Sequence, residues 1–125
     1  MHLFETRKVD FLFSDFRGSL VQLVHEGFNQ INVLDSKIGV SRGAHFHKRA
    51  IEAFYVVIGS VVVKLWNKHS DETVTFYKGD FFEIHPFILH NMFFPEDCLM
   101  VQMYDIPVEN ADGTKDIYTE DEYYA

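Results

Sequence analysis

Hydrophobic residues along the chain fall into short runs rather than long stripes with helical spacing. β-Branched and aromatic residues dominate these runs, and polar turns such as Lys78-Gly79-Asp80 separate them, which is typical of β-strands. The pattern predicts nine strands, over residues 20–24, 30–34, 43–47, 53–58, 61–66, 73–77, 81–84, 91–94 and 99–104. Such close spacing indicates an all-β barrel or sandwich.

The sequence between and after these strands predicts further local structure. Gly59 predicts a tight hairpin at residues 58–60, because glycine adopts a positive φ without steric cost. Residues 105–125 are mostly polar and predict a solvated C-terminal segment that ends in a short helix from Thr119. A chain of 125 residues accommodates one hydrophobic core, so we expect a single domain over residues 1–125.

The net charge of −8 is concentrated at one end of the chain. Residues 1–95 carry 10 acidic and 10 basic side chains, whereas residues 96–125 carry 9 acidic side chains and Lys115 as their only base. A basic stripe that could follow a phosphate backbone is missing. We therefore expect no nucleic-acid partner.

Cysteine content and hydropathy bear on the cellular compartment. Cys98 is the only cysteine, which excludes an intrachain disulfide and fits a reducing compartment. The longest apolar stretch, residues 53–66, is interrupted by Gly59 and Lys64 and falls short of the ~20 residues that a spanning helix needs. Residues 1–5 do not resemble a signal peptide. We expect a cytoplasmic protein without a membrane partner.

Candidate chemistry concentrates in three histidines and a glutamate. His45 and His47 are two residues apart on a predicted strand, so their side chains point to the same face. A turn over residues 48–51 lets Glu52 return towards that face, and a turn at Pro86 lets a later strand carry His90 back across the barrel. Imidazoles and a carboxylate on one face are ligands for a divalent metal such as zinc or iron.

Two runs resemble the motifs of the cupin superfamily. The first motif is matched at its five defining positions, which are Gly39, His45, His47, Glu52 and Gly59. The second is matched at both ends, by Gly79-Asp80 and by His90. It departs in the middle, where His85 stands in place of a proline and Phe87 in place of a glycine.

The resemblance implies a cupin fold, a jelly-roll-like β-barrel of two antiparallel sheets. It also implies that His45, His47, Glu52 and His90 are the ligands if a metal is bound. The expected cofactor is then either none or one divalent metal, with zinc preferred over iron or manganese.

A narrower resemblance covers most of the chain. Residues 15–18 (Asp-Phe-Arg-Gly), 42–48 (Arg-Gly-Ala-His-Phe-His-Lys), 51–54 (Ile-Glu-Ala-Phe) and 86–92 (Pro-Phe-Ile-Leu-His-Asn-Met) resemble runs of the nucleoside-diphosphate-sugar 3,4-ketoisomerases. The pair His90-Asn91 and residues 103–118 are similar instead to the zinc-holding cupin domain of a capsular-polysaccharide epimerase. The two relatives share a substrate class and differ over the metal.

These resemblances imply an enzyme, a sugar-nucleotide isomerase or epimerase in surface-polysaccharide and deoxysugar biosynthesis. Its substrate would be a dTDP- or UDP-linked 4-keto-6-deoxyhexose, converted by a 3,4-ketoisomerase or C3-epimerase reaction through proton transfer next to the ketone. In the metal-free interpretation His47 is the base and His45 shuttles a proton or polarises the carbonyl. In the zinc interpretation His85 or Tyr55 takes the proton. Arg17, Arg42 and Lys48 are the candidates for binding the diphosphate.

Two other functions stay open at this point. One is an iron- or manganese-dependent cupin dioxygenase, which the set His45, His47, Glu52 and His90 would also suit. The other is a non-catalytic cupin that binds a sugar or a metal. For each alternative, the resemblance to cupins of this size implies a homodimer.

Overall fold

The computed structural model describes residues 1–125, which form twelve strands and one short helix. In chain order they are β1 (Glu5–Thr6), β2 (Phe11–Asp15), β3 (Gly18–Gln22), β4 (Gln30–Ser36), β5 (Ser41–Phe46), β6 (Glu52–Ile58), β7 (Ser60–Trp66), β8 (Asp71–Tyr77), β9 (Phe81–Ile84), β10 (Leu89–Phe93), β11 (Cys98–Tyr104), β12 (Tyr118–Thr119) and α1 (Glu120–Tyr124). All nine predicted strands overlap observed ones.

Two five-stranded antiparallel sheets pack face to face around the main core. Their strand orders are β1-β9-β6-β11-β4 and β12-β5-β10-β7-β8. Phe54 and Met100 from the first sheet pack with Val63 and Met92 from the second in one buried cluster. The alternation of side chains along each strand places these residues on the inner faces. The predicted all-β architecture of two antiparallel sheets is confirmed.

Gly59 does not close a hairpin, so that prediction is wrong. Strands β6 and β7 belong to different sheets, and the chain crosses between the sheets at this residue. Gly59 has a φ of +89°, and a Cβ there would collide with the backbone carbonyl of Asp97. The position requires glycine for a corner, because a single residue between two strands does not form a two-residue hairpin loop.

Strands β1, β2 and β12 were not predicted. β1 and β12 are two residues long and exist only because they pair with β9 and β5. β2 pairs with β3 alone, and this hairpin exposes apolar side chains, including Leu12 and Phe16. β1 and β12 carry too few residues for a period-two pattern to stand out, and β2 shows no alternation because all five of its residues are exposed.

The C-terminal segment differs from the expectation of a solvated tail. Thr119 caps α1 as predicted, with its hydroxyl accepting the Glu122 amide. However, Val108 and Asp116 are buried, and β12 is the edge strand beside β5. α1 spans only five residues, and no helix has the length and apolar character needed to cross a membrane.

Candidate functional site

Four side chains from three strands and one loop meet inside the barrel. His45 lies in β5, His47 follows that strand, Glu52 begins β6, and His90 lies in β10. One ligand atom from each residue lies within 4.8 Å of every other. Antiparallel pairing places His90 directly opposite His45. The cluster is therefore built by strand register as well as by the His45-to-Glu52 segment.

A β-bulge sets the direction of His45. Asn91 pairs with Gly43 while His90 pairs with His45, which leaves Ala44 as an extra residue in β5. Gly43 and Ala44 have φ angles of +108° and +61°, and a Cβ on Gly43 would lie 2.9 Å from the His90 carbonyl oxygen. Residues three apart on a regular strand face opposite sides. The bulge instead turns both Arg42 and His45 into the same cavity.

The two most buried imidazoles have defined tautomers. His47 donates from Nδ1 to the Asp116 carbonyl at 2.6 Å, and His90 donates from Nδ1 to the Ile88 carbonyl at 3.0 Å. Because carbonyl oxygens only accept, each ring carries a proton on Nδ1. The Nε2 atoms of these rings lie 3.1 and 3.0 Å from Oε1 of Glu52.

Glu52 is buried and held from its other side. Its Oε2 accepts hydrogen bonds from the Gln102 amide at 2.7 Å and the Tyr104 hydroxyl at 3.0 Å. Burial by itself raises the pKa of the Glu52 carboxyl, but the imidazoles of His47 and His90 outweigh burial and hold the pKa well below its usual range. Glu52 is therefore a carboxylate with one oxygen directed at the histidines.

The histidines at 45 and 47 differ in basicity. Burial, with help from the neighbouring His90, lowers the pKa of His45 to about 4, so its ring is neutral at pH 7. Burial acts in the same direction on His47, but the Glu52 carboxylate and the Asp116 carbonyl outweigh it and raise the pKa of His47. In addition, His45 lines the cavity whereas His47 is 2% exposed. This placement favours His45 over His47 as a base towards a substrate.

The cluster fits a divalent metal. The Nε2 atoms of His45 and His90 are buried without a hydrogen-bond partner. Although His90 Nε2 is 3.0 Å from Glu52 Oε1, the contact lacks hydrogen-bond geometry. A cation among these atoms would satisfy them. Metal-ligating histidines commonly donate their other ring N–H to a carbonyl, as His47 and His90 do.

A cavity of about 320 Å³ opens from the cluster. His45, His90, Gln102 and Tyr104 form its polar wall, and Leu34, Phe54 and Met92 contribute apolar surface. Arg42 also lines the cavity, with Nε donating to Ser36 Oγ at 2.9 Å and Nη2 to the Asp35 carbonyl at 3.1 Å. Nη1 of this fixed guanidinium makes no hydrogen bond within the chain and can receive an anion.

Two of the residues predicted to act as bases, Tyr55 and His85, lie outside the cavity. Tyr55 packs with its ring 6.0 Å from that of Phe81, on the face of β6 opposite to Glu52. The cause is alternation, because positions 52 and 55 are an odd number of residues apart. His85 follows β9 and is exposed, with Nε2 placed 2.9 Å from Glu83 and 3.2 Å from Glu5. Neither residue lines the cavity.

Of the three cations predicted to bind the diphosphate, only Arg42 lines the cavity. Arg17 is exposed in the turn between β2 and β3, where its guanidinium pairs with Asp15. The Lys48 ammonium lies 4.2 Å above the ring of Tyr118. The prediction for Arg42 agrees with the geometry, whereas Arg17 and Lys48 are occupied outside the cavity.

Three residues of the site were missed in the sequence. Gln102 and Tyr104 face inward from β11, opposite Phe54 and Glu52. A glutamine two residues before a tyrosine, in an otherwise apolar strand, was the available signal for an inward polar pair. Asp116 is fully buried beside His47. Its setting among tail acids gave no signal, because its contacts are some seventy residues away in sequence.

Comparisons with known proteins agree with this fold. A family model described as the polysaccharide biosynthesis C-terminal domain matches residues 13–107. No curated protein sequence matches the chain.

Several solved structures resemble the chain. A double-mutant QdtA 3,4-ketoisomerase from Thermoanaerobacterium thermosaccharolyticum in complex with TDP has a TM-score of 0.80 at 19% identity, covering 99% of this chain and 92% of that one. A 3,4-ketoisomerase from Helicobacter canadensis has a TM-score of 0.79 at 19% identity, covering 96% and 93%. The capsular polysaccharide assembling protein CapF from Staphylococcus aureus has a TM-score of 0.63 at 24% identity, covering 87% of this chain but only 32% of that one. These likenesses confirm the predicted cupin fold.

Proposed function

The chain belongs to the polysaccharide biosynthesis C-terminal domain family, and from this premise we propose that it is a sugar-nucleotide isomerase or epimerase. Its substrate is a dTDP- or UDP-linked 4-keto-6-deoxyhexose. One observation carries the proposal: a neutral histidine with an unpartnered Nε2 stands in the wall of a cavity that also presents a fixed arginine. Solved structures of similar fold are 3,4-ketoisomerases, one of them in complex with TDP-4-keto-6-deoxyglucose.

The reaction is a proton transfer next to a ketone. Removal of the C3 proton of a 4-keto sugar gives an enediolate. Protonation at C4 then moves the ketone to C3, whereas return of a proton to the opposite face of C3 gives the epimer. Both outcomes need a base that is neutral near pH 7 and a group that stabilises the oxyanion.

His45 is the proposed base in the metal-free protein. Its lowered pKa keeps the ring neutral, its Nε2 has no hydrogen-bond partner, and the residue lines the cavity. Tyr104 is not a base, because burial and the neighbouring Glu52 raise the pKa of its hydroxyl, which stays protonated and donates to Glu52. The Gln102 amide donates to the same carboxylate and so fixes its orientation.

When a metal is bound, His45, His47, Glu52 and His90 would hold it, and it would polarise the ketone oxygen as a Lewis acid. His45 is then a ligand rather than a base. Arg42 lies at the cavity wall, where its unpartnered Nη1 suits a phosphate oxygen of the nucleotide.

Deuterium exchange tests this function. The purified protein is incubated in D₂O with dTDP- and UDP-linked 4-keto-6-deoxyhexoses, as isolated, after chelation and after zinc loading. NMR then follows the C3 position. We expect exchange in the parent and a loss of about 100-fold or more in His45→Asn, since a general base contributes about 10²–10⁴-fold. His69→Asn, in an exposed loop, is the matched control and keeps the parental rate.

Absence of exchange under all three conditions overturns the proposal. Consumption of oxygen by the iron-loaded protein would then favour the dioxygenase, because three imidazoles and a carboxylate also suit a redox metal. Saturable binding of the nucleotide sugar without exchange would favour the non-catalytic alternative.

The chain also exposes an apolar surface that supports a homodimer. Leu12 and Phe16 in the hairpin and Ile31 and Val33 on edge strand β4 are exposed. Apolar side chains on a sheet edge are typical of interfaces between chains. Light scattering is expected to give twice the chain mass, and a monomeric mass would contradict this.

A further inference from the structure

The loop that joins His47 to Glu52 is held by carboxylates from the C-terminal segment. This loop covers residues 48–51. Asp116 accepts the backbone N–H groups of Lys48 at 2.9 Å, Arg49 at 3.1 Å and Ala50 at 2.9 Å. Asp105 accepts the fourth, from Ile51, at 2.7 Å. All four loop amides are therefore bound by two aspartates rather than by water.

Asp116 also holds the imidazole itself. Its backbone carbonyl accepts the Nδ1 proton of His47 at 2.6 Å. One residue therefore fixes both the loop and the ring at its start.

Asp116 is itself anchored on both sides. Its N–H donates to the Val108 carbonyl at 2.8 Å, and two residues later Tyr118 pairs with Phe46 in β5. The anchoring segment therefore runs along the strand that carries His45. A displacement of Asp116 would lengthen the hydrogen bonds to the loop and to the His47 ring, and such bonds weaken as they lengthen or bend.

We propose that Asp116 is a positioning residue of the site, which sets the direction of His47 Nε2 and its distance from Glu52. The part of this proposal that concerns metal affinity and turnover rests on the proposed function. The part that concerns the His47 ring does not. Asp116 touches no substrate in this role and acts only through His47 and the loop.

The test compares Asp116→Asn with Asp112→Asn. Asp112 lies in the same segment and is exposed, and its side chain accepts hydrogen bonds from Thr114. The Asp112→Asn variant is therefore the matched control. In Asp116→Asn the introduced amide keeps the shape of the carboxylate but turns an NH₂ group towards the loop N–H donors. Imidazole ¹H–¹⁵N correlation spectra of the metal-free full chain report the His47 tautomer and ring environment. Titration with Co²⁺, followed by visible absorption, reports affinity.

We expect Asp116→Asn to shift or broaden the His47 imidazole signals and to weaken Co²⁺ binding about 10-fold. This is the lower end of the range for outer-sphere changes, because the backbone carbonyl that accepts the His47 proton is kept and only its position changes. Asp112→Asn is expected to leave both unchanged. A folded Asp116→Asn protein with parental imidazole signals and parental Co²⁺ affinity overturns the proposal. If that variant does not fold, Asp116→Glu is tested by the same two measurements. Its longer side chain keeps the negative charge but displaces the loop.

The two proposals fail separately. If the parent neither binds Co²⁺ nor exchanges substrate protons, the proposed function falls, and the His47 spectra still decide the role of Asp116. If the parent does both and Asp116→Asn does not differ from it, only the positioning role falls.

Discussion

Two groups of carboxylates and histidines in this molecule each have their ligand atoms within 4.8 Å of one another. The two groups differ in burial and in the partners of their polar atoms. The inner cluster comprises His45, His47, Glu52 and His90. The outer cluster comprises Glu5, Glu83 and His85, at the pairing of β1 with β9. By proximity alone, both would qualify as metal sites.

The histidines of the two clusters use their nitrogens differently. His47 and His90 donate Nδ1–H to backbone carbonyls, and the Nε2 atoms of both rings lie close to Glu52 Oε1. In the outer cluster, Nε2 of His85 lies against both carboxylates, and Arg7 pairs with Glu83 at 2.8 Å. The outer charges are therefore paired within the chain, whereas the Nε2 atoms of His45 and His90 in the inner cluster have no hydrogen-bond partner.

This contrast separates a ligand site from an ion-pair network. A cation bound at the outer cluster must displace Arg7 and the His85 proton. At the inner cluster it would satisfy the Nε2 atoms of His45 and His90, which are buried without a hydrogen-bond partner. Backbone carbonyls that fix the tautomer, rather than the number of acidic groups, distinguish the inner cluster.

The largest predicted difference lies in metal affinity. Glu52→Gln is expected to reduce zinc affinity by more than about 100-fold, because losing a ligand costs more than losing an outer-sphere partner. Glu5→Gln makes the same change in the outer cluster and is expected to have no effect. Competition titration with a chromophoric chelator, on proteins with parental circular dichroism, measures both. Equal affinities in the two variants would erase the distinction between the clusters.

A second prediction concerns the bulge that directs His45. Gly43→Ala is expected to destabilise the fold by about 2–4 kcal/mol, because it adds a clash with the His90 carbonyl to the cost of a positive φ. Gly113→Ala also lies at a positive φ but meets no atom within 4 Å, so about 1 kcal/mol is expected. Urea unfolding monitored by fluorescence gives both values. If the two variants lose similar amounts of unfolding free energy, the contact with the His90 carbonyl is not the reason that position 43 requires glycine.

Much of the inner cluster was open to prediction from sequence. The i, i+2 spacing of His45 and His47 and a turn long enough to return Glu52 follow from strand geometry. The same rule should have excluded Tyr55, which lies three residues beyond Glu52 on a regular strand. At Gly59 the predicted strands leave two residues, 59 and 60, so a hairpin agreed with the sequence, and only the structure shows that β7 begins at Ser60 in the other sheet.

The remaining parts of the site depend on tertiary contacts. The bulge at Ala44 is defined by the pairing of β5 with β10, which the sequence does not show. No local sequence pattern therefore indicates that Arg42 and His45 point to the same side. The acceptors that fix His47 and His90 are backbone carbonyls, which every residue possesses. In the sequence Asp116 is one more acidic residue of the tail, and only the fold buries it against the loop after β5.

The smallest predicted effect is the pH dependence of the outer cluster. The hydrogen bond to Glu83, with support from Glu5, raises the pKa of His85. A folded-state pKa above the unfolded value of about 6.5 means that the stabilisation is complete below pH 6.5 and disappears as pH rises through the raised folded pKa. His85→Gln is therefore expected to lower the free energy of unfolding at pH 5.5 and to match the parent at pH 9. His85 is 44% exposed, so screening limits the difference to less than about 1 kcal/mol.

Salt sharpens this last test. At 1 M salt the Debye length falls to about 3 Å, so the pH 5.5 difference between the parent and His85→Gln should largely vanish in urea unfolding. Zinc binding at the buried inner cluster should survive the same salt, because the ligand atoms are shielded from solvent. If the difference in unfolding free energy between the parent and His85→Gln persisted at pH 9 and in 1 M salt, His85 would stabilise the fold by packing and not by its charge. The outer cluster could then no longer be described as an ion-pair network.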